Sequence, residues 1–572
     1  MINHKIAKIF NQMADFYVMK DDKFRPRAYE KAARLIEDME NDLVDIYEKG
    51  GTKSLMQVPG IGKGLAEHIE EYIKTGKIEI FEKLKADAPI DLESFSAVSG
   101  VGPKTLMALY EKLKIKNIRD LEKAARAGKL RSLPRFGEKT EDNILRSIEL
   151  SREHQGRFLL GYISPIVLRI EKNLASVPGV KKIIACGSFR RAKETIGDID
   201  ILAVAENSNE VMEYFVSMPD VEKIIAQGET KSVVKLDNGI EVDLRVVPQK
   251  SYGAALQYFT GNKDHNVELR KIAIRKGWKL NEYGLFDKNK RQIAGKTEED
   301  VYEKLGLDWM PPEMRENRGE IELAEAHKLP KILKYEDVLG DLQMHSTYSD
   351  GAHSIQEMAE MAKKLGRKYI AITDHVGHLK IAGAMDTKTI EKQWREIEKA
   401  DRAISGIKIL KGCEVDINPD GTIAFDDKYL AKFDIVLGSI HSNFKMKKDD
   451  MTKRLIRAIE NPHIDIIAHP TGRIIHRRAG YEFDFEAVCK ACAKNKTVLE
   501  INCYPDRLDL SDVNIKRAIG YGVKLSLGTD SHSKLQLQYL HLGIAQARRG
   551  WATKKDVINC MKIEDLMAFL NK

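Results

Sequence analysis

Two aspartates separated by one residue in a β-branched run form the first arrangement in this chain able to do chemistry. The segment CGSFRRAKETIGDIDIL carries Asp198 and Asp200 on one face, because strand side chains alternate. A third carboxylate, Asp243, lies in a second such run, EVDLRVV. Three acids on neighbouring strands can hold two magnesium ions, an arrangement suited to activating a hydroxyl and stabilising a leaving pyrophosphate. A D-x-D alone on an edge strand would be an ordinary exposed pair. The Gly187-Ser188 turn upstream and YFTG downstream argue against that reading.

A second gathering of ligand-type residues begins beyond residue 340. Gln343, His345, Asp350, His375, Glu414, His441, His469, Asp530 and His532 fall at or just after the ends of apolar runs. So many polar groups cannot be buried unpaired, and a metal cluster accounts for them. Imidazole and carboxylate donors suit manganese, zinc or iron without choosing among them. Metal ions so held would activate water against a phosphodiester. Cys489 and Cys492 are also spaced like ligands, but they occur in the helix-like FEAVCKACAKNK with no second pair nearby, so simple burial is expected.

These residues need elements to position them. Seven apolar runs, VLGDLQMHS, YIAITDH, IKILKGCEVDI, FDIVLGSIHS, IDIIAHP, TVLEINCYP and VKLSLGTDSH, are separated mostly by helix-like segments. That is a βα barrel pattern one strand short of eight, and barrels carry chemistry at the C-terminal ends of their strands. From about residue 180, KKIIACGS, DIDILAVA, KSVVKL and EVDLRVV read as strands of a mixed sheet. The first 150 residues are amphipathic helices such as FRPRAYEKAARLIEDME, punctuated by glycine turns.

Three of those turns immediately precede a helix: VPGIGKGLAEHI (58–69), VSGVGPKTLMAL (98–109) and LPRFGEKTEDNI (133–144). Gly60, Gly62 and Lys63 in the first, Gly100, Gly102 and Lys104 in the second, and Gly137 with Lys139 in the third let a backbone approach a phosphate closely. Such contacts position DNA without reading its sequence. Between residues 311 and 333 the stretch PPEMRENRGEIELAEAHKLPKIL is charged and proline-bearing, so a linker is expected there.

At 572 residues the chain is too long for one core. Lys and Arg total 94 against 86 acidic residues, a net charge of +8, which favours an acidic partner only where the basic residues cluster. The opening MINHKIAKIF lacks the apolar core of a signal peptide, and no uncharged run approaches the roughly 18 residues needed to span a bilayer, so a cytoplasmic protein is expected without a membrane partner. Six scattered cysteines form no disulfide framework.

The order and spacing of GSFRR, GDID, VDLR, YFTG and LNEYGLF resemble the palm and thumb of family X DNA polymerases. The resemblance implies that Asp198, Asp200 and Asp243 hold Mg²⁺ or Mn²⁺. It further implies that Gly187, Ser188, Arg191 and Gly197 face the triphosphate of an incoming nucleotide, and that Tyr258, Phe259 and Gly261 border its sugar. Asn266 would reach the base edge in the minor groove. Asn262 replaces the serine common after YFTG. Some members form a Schiff base with abasic deoxyribose through lysines of the first hairpin's helix; Gly64 and His68 stand at those positions, so lyase activity is not expected.

DLQMHSTYSDG, TDH, GCEVDI, GSIHS, AHP and GTDSH, spanning residues 338 to about 572, resemble the PHP domain, named for polymerase and histidinol phosphatase. This resemblance implies a first metal on Gln343, His345, Glu414 and Asp530, a second on Glu414, His441 and His469, and a third on Asp350, His375 and His532, with Mn²⁺, Zn²⁺ or Fe²⁺ as the ion. Arg473, after AHPTG, would contact phosphate. Gln343 stands where most active PHP domains have histidine, and glutamine is a neutral, weaker ligand.

The expected architecture is multidomain: a helical helix-hairpin-helix N-terminus, an α+β nucleotidyltransferase palm with thumb, and a C-terminal (β/α)7 PHP barrel. Its expected divisions are a helical DNA-binding domain (1–85), a fingers-like helix-hairpin-helix domain (86–150), palm (151–250), thumb (251–315), linker (316–336) and PHP domain (337–572). Together the resemblances imply a bacterial or archaeal family X polymerase, monomeric, filling gapped or primed double-stranded DNA from deoxynucleoside triphosphates in base excision repair. A 3′-5′ exonuclease or AP endonuclease activity, weakened by Gln343, is expected of its PHP half. The rival reading is a DNA-binding PHP phosphoesterase or phosphatase without polymerase activity.

Overall fold

Amphipathic periodicity sets the first 150 residues. Helices Ile2–Met19 and Arg25–Glu37 pack on each other, and their apolar faces join those of Leu43–Met56, Lys63–Thr75 and Glu79–Asp87 around Ile6, Phe10, Ile36, Leu55 and Ile69. Asp22 accepts from the N–H groups of Phe24 (3.0 Å) and Arg25 (2.9 Å), starting the second helix. Helices Pro103–Leu113 and Ile118–Arg126 build a second core on Leu106, Leu109, Leu121 and Ile148. The computed structural model describes residues 2–570 except 38, 40–41, 59, 96–100, 134–135, 138–139, 142–143, 146–147, 149–155 and 378–381. Packing divides the chain into two units, 1–155 with 476–479 and 156–475 with 480–572. Among the described residues no helix is long and apolar enough to cross a membrane.

The second unit opens with a five-stranded sheet ordered Val180–Ala185, Asp198–Ala205, Glu241–Val246, Lys231–Leu236, Val221–Gln227. Asp198–Ala205 runs parallel to Glu241–Val246, with Asp200 level with Asp243. Helices Leu160–Ala175 and Ser208–Val216 cover one face through Val167, Ile170, Val211 and Phe215. Next, helices Tyr252–Thr260, Lys263–Arg275 and Glu298–Leu305 pack with a small antiparallel sheet, Lys279–Asn281, Gly284–Phe286 and Gln292–Ala294.

Seven parallel strands then form the barrel: Gly340–Asp341, Tyr369–Ile372, Lys408–Asp416, Ile435–Ser439, Ile466–Ile467, Val498–Asn502 and Leu525–Gly528. First and last meet where Leu342 N–H donates to the Leu527 carbonyl (3.2 Å) and His345 N–H to that of Ser531 (2.8 Å). The seven apolar runs thus become seven staves. A short extra strand, His375–Val376, pairs with Lys408–Asp416 beyond Tyr369–Ile372. Cys489 and Cys492 are buried in helix Phe485–Asn495 and have apolar neighbours.

The stretch 316–336, read above as a linker, is instead folded onto its neighbours. Helix Glu320–Glu325 buries Ile321 and Ala324 in the core that holds Leu269 and Tyr302. Charge did not keep this stretch in water, because each buried charge has a fixed partner. Glu320 accepts from His265 Nδ1 at 2.9 Å, and just before it the wholly buried Arg315 donates to Glu298 at 2.6 Å. Glu298 also accepts from both Nη atoms of Arg190 at 2.8 Å, tying the turn before Asp198 to helix Glu298–Leu305. Glu298→Ala would leave two guanidiniums uncompensated. We expect it to lower stability by roughly 3–5 kcal/mol in urea unfolding followed by tryptophan fluorescence, and a loss below about 1 kcal/mol would show that the charges find other partners.

Candidate active sites

In the palm sheet the parallel register sets Asp200 beside Asp243, and alternation brings Asp198 to the same face. Strand Val180–Ala185 leads into a single helical turn, Gly187–Arg190, which contains Ser188. Cys186 N–H donates to the Asp200 carbonyl (2.7 Å), drawing that turn against the acids. Gly187 has φ +56°, and a Cβ there would fall on the Asp200 carboxylate, so only glycine fits. Burial, then Asp198 and Asp243, push the Asp200 carboxyl up to about 7. Lys231 (2.9 Å) and Arg245 (3.7 Å) approach Asp243, yet its buried Oδ1 has no hydrogen-bond partner among the described residues. Crowded acids with an unsatisfied oxygen fit a divalent cation.

Around this centre, Gly197 lies against Arg157, whose Nε donates to Thr195 (2.9 Å). Tyr258 and Phe259 end helix Tyr252–Thr260 with ring centroids 5.1 Å apart, and Gly261 follows with φ +69°. The Asn266 amide turns inward: it donates to the Tyr258 carbonyl (2.7 Å) and accepts from Gln257 (2.6 Å), bracing the Tyr258 backbone. Arg191 is nearly buried, donating to Thr260 O (2.5 Å) and Glu316 (3.1 Å). Asn262, the departure from the usual serine, donates to the other Glu316 oxygen at 3.1 Å.

In the barrel, Glu414 is the shared group. Gln343 Nε2 donates to it at 2.8 Å, and the Nε2 atoms of His345, His441 and His469 stand 3.4, 3.2 and 3.2 Å from its oxygens. Three sets of donor atoms lie close enough to hold ions: His345, Asp350, His375 and His532; His375, Glu414 and His441; and His345, Glu414 and Asp530. His345 and His375 therefore each belong to two sets, where the resemblance gave them one. His345 stacks between His375 and His532 at centroid distances of 4.6 and 4.4 Å. Burial opposes ionisation of Glu414, but the imidazoles around it hold its carboxyl well below the usual range. Both ring nitrogens of His345 and Nδ1 of His469 are buried without hydrogen-bond partners among the described residues, which metal coordination would answer.

Residues behind the donors orient them. Asp416 holds His441 Nδ1 (2.7 Å), the Asp530 carbonyl holds His532 Nδ1 (2.8 Å), and Glu500 accepts from His469 N–H (2.7 Å). Asp374 is buried and accepts from Ser346 N–H (2.7 Å), Ser349 (2.6 Å) and Gln393 (2.7 Å). His469 (φ 31°) and Asp530 (φ 54°) adopt left-handed backbone, which is uncommon for non-glycine residues. Sequence reasoning missed Asp416, although two residues beyond Glu414 it alternates onto the same face. Arg473 does not face the donors: it bonds Glu194 (2.7 Å) and the carbonyls of Arg507 (2.9 Å) and Leu508. Arg507, 3.5 Å from Asp530, is the arginine beside the cluster.

In the first unit, Gly62 (φ −78°, ψ 172°) and Gly102 (φ −77°, ψ 171°) cap their helices in the same conformation, and Gly60 has φ +97°. A Cβ on Gly62, Gly102 or Gly137 would meet nothing within 4 Å among the described residues. Lys63 is exposed near Glu67 (3.9 Å), and Lys104 lies 3.4 Å from Asp21. Gly100 and Lys139 lie outside the described residues. Gly64 is in helix Lys63–Thr75, and His68 stacks on Tyr29 with centroids 6.3 Å apart.

Because Glu414 is shared between sets, Glu414→Gln should weaken metal binding in the barrel by at least the 10–100-fold, on the order of magnitude, that loss of an orienting partner alone produces. Asp350→Asn should weaken it less. Equilibrium dialysis with elemental analysis measures both, and equal losses would contradict a central role for Glu414.

Residues 163–252 match the DNA polymerase beta palm family and 255–316 the DNA polymerase beta thumb family. Residues 1–78 match a helix-hairpin-helix domain, 91–149 a SAM-like helix-hairpin-helix tandem, and 341–504 the PHP domain. The chain is 37% identical to the DNA polymerase/3′-5′ exonuclease PolX of Bacillus subtilis (strain 168) over 571 residues, 99% of each chain. It is 28% identical to DNA polymerase lambda of Arabidopsis thaliana over 348 residues, 55% of this chain and 62% of that one. With the rat DNA polymerase lambda the identity is 26% over 343 residues, 55% and 56% of the two chains. Full-length similarity at this level, with palm, thumb and PHP segments in the same chain, means that it belongs to the PolX group of family X DNA polymerases with a C-terminal PHP domain.

Proposed function

We propose that this chain is a DNA-directed DNA polymerase that fills short gaps during base excision repair and carries a 3′-5′ exonuclease in its barrel. The observation that carries the reading is the Asp200–Asp243 register pair set against Gly187, where a Cβ would displace a carboxylate. Asp198, Asp200 and Asp243 would hold Mg²⁺ or Mn²⁺, and the barrel donors Mn²⁺, Zn²⁺ or Fe²⁺. When bound, these ions supply charge neutralisation and nucleophile activation for phosphoryl transfer. Gly187, Ser188, Gly197 and Arg191 bind the triphosphate, Arg191 as a positive charge held at the site by Glu316 and the Thr260 carbonyl. Tyr258, Phe259 and Gly261 border the sugar, and Asn266 holds that wall in place through the Tyr258 carbonyl. Gapped DNA is gripped by the glycine caps at Gly62 and Gly102 with Lys63 and Lys104, through phosphates and therefore without sequence preference.

In the barrel, Arg507 rather than Arg473 takes the phosphate of the scissile nucleotide, because Arg473 is already committed to Glu194 and two carbonyls. His441 is kept in one orientation by Asp416. Each site is complete within one chain, which fits action as a monomer. Where some family X members use lysines for lyase chemistry, Gly64 and His68 offer no amine, so this chain is expected not to remove abasic sugars by imine formation.

A labelled gapped duplex with Mg²⁺ or Mn²⁺ separates the two activities. Asp200→Ala should abolish extension and spare trimming, whereas His469→Ala should do the reverse; if either variant keeps both activities, the two-site assignment fails. Gln343 bears on the second site: its amide nitrogen donates to Glu414, where an imidazole could instead offer a lone pair to an ion. We expect Gln343→His to raise both bound metal and the 3′-5′ exonuclease rate, and the wild-type protein to retain fewer than three tightly bound barrel ions. Unchanged metal content and rate in the variant would show that Gln343 does not limit the centre.

A further inference from the structure

Two arginines of the barrel hold the palm segment between the Gly187–Arg190 turn and strand Asp198–Ala205. Arg549 Nη1 donates to the Arg191 carbonyl at 2.6 Å, and Arg473 Nη2 to Glu194 at 2.7 Å. The same Arg549 nitrogen donates to Glu316 Oε1 at 3.1 Å, the oxygen that also accepts from Arg191 Nε at 3.1 Å. Arg549 closes helix Leu540–Arg549 and is 2% exposed; its Nη2 donates to Asp512 at 2.6 Å, and Asp512 also accepts from Arg318 at 3.0 Å. A guanidinium held by three partners at once has no freedom left to shift. The surface beneath it is closely fitted as well. A Cβ on Gly161 of the palm helix would strike Pro505 and Leu542, while Ile475, Leu508 and Leu542 share one core with that helix.

We propose that Arg549, although a barrel residue, is a positioning residue of the polymerase nucleotide site. Glu316 lies between two guanidiniums, each 3.1 Å from Oε1, with Lys193 3.8 Å from its other oxygen. Without Arg549 the Oε1 atom it shares keeps only Arg191, while Lys193 (3.8 Å) and Asn262 (3.1 Å) stay on the other oxygen, so the Glu316 charge would hold the Arg191 side chain more tightly in competition with an incoming phosphate. The Arg191 backbone would lose its anchor in the same step. The barrel thereby sets how readily the palm engages a nucleotide, a role separate from its own metal chemistry. This inference rests on the proposed contact between Arg191 and the triphosphate.

Single-nucleotide insertion into a gapped duplex by the full-length protein tests it, with thermal unfolding to confirm that each variant folds. Arg549→Gln should raise KM for the nucleotide about tenfold and change kcat by less than about twofold, the size expected for one charge-assisted hydrogen bond. Exonuclease activity of the same preparation should not change. Arg549→Lys, which keeps the charge but loses the fork, should raise KM less. Adding Glu316→Gln to Arg549→Gln removes the charge that traps Arg191, so KM should return towards the wild-type value; a merely structural contact would not be rescued by a second loss. If Arg191→Gln raises KM but Arg549→Gln leaves it unchanged, or if the double variant is no better than the single one, the inference is overturned. If Arg191→Gln itself leaves KM unchanged, the triphosphate contact is wrong and the inference falls with it.

Discussion

Acids withdrawn from water beside one another resist ionisation unless a cation joins them, and the second unit contains two sites subject to that constraint. In the palm, Asp198, Asp200 and Asp243 share one face of neighbouring parallel strands. In the barrel, Glu414 is ringed by imidazoles whose own partners are Asp350, Asp416 and Asp530. The scaffold must hold together side chains that would otherwise separate. It does so with backbone: a glycine where no Cβ fits, left-handed turns at His469 and Asp530, and N–H groups directed at Asp374 and Glu500. The local structure of both sites follows from this requirement.

Much of this was legible in the sequence, because the relevant patterns are local. Alternation brings Asp198 and Asp200 together, and buried parallel strands read as continuous apolar runs, which is how the seven staves were found. Where local pattern ended, the reading changed. Residues 316–336 carry enough charge to look solvated, yet just ahead of them Arg315 is buried on Glu298, and within them Glu316 on Arg191 and Arg549, and Glu320 on His265. Glu316 and Arg549 are 233 residues apart, a separation that no window of sequence spans. Arg473 shows the same limit: its motif says nothing of its partner, and only the fold supplies Glu194. Asp416 was within reach of strand alternation alone.

Charged side chains do different work at different depths. The exposed pairs Lys63–Glu67 and Lys104–Asp21 add little to stability and leave the lysines free to change partners. Buried Glu298 and Glu316 each gather guanidiniums from separate elements and fix their relative geometry. Replacing such groups with apolar ones can leave stability unharmed elsewhere in proteins, so their value here is better sought in orientation than in energy.

The fitted surface around Gly161 has a consequence for how such a chain can be inherited. Two catalytic regions in one polypeptide suggest parts that could be separated, exchanged or lost, but Ile475, Leu508 and Leu542 complete the palm's own core. A chain ending before the barrel would carry an uncovered apolar face in place of that seam, a surface prone to self-association. Modularity in this protein is therefore a property of its motifs and not of its packing: insertions and exchanges that respect the motif boundaries would still cut through a single core.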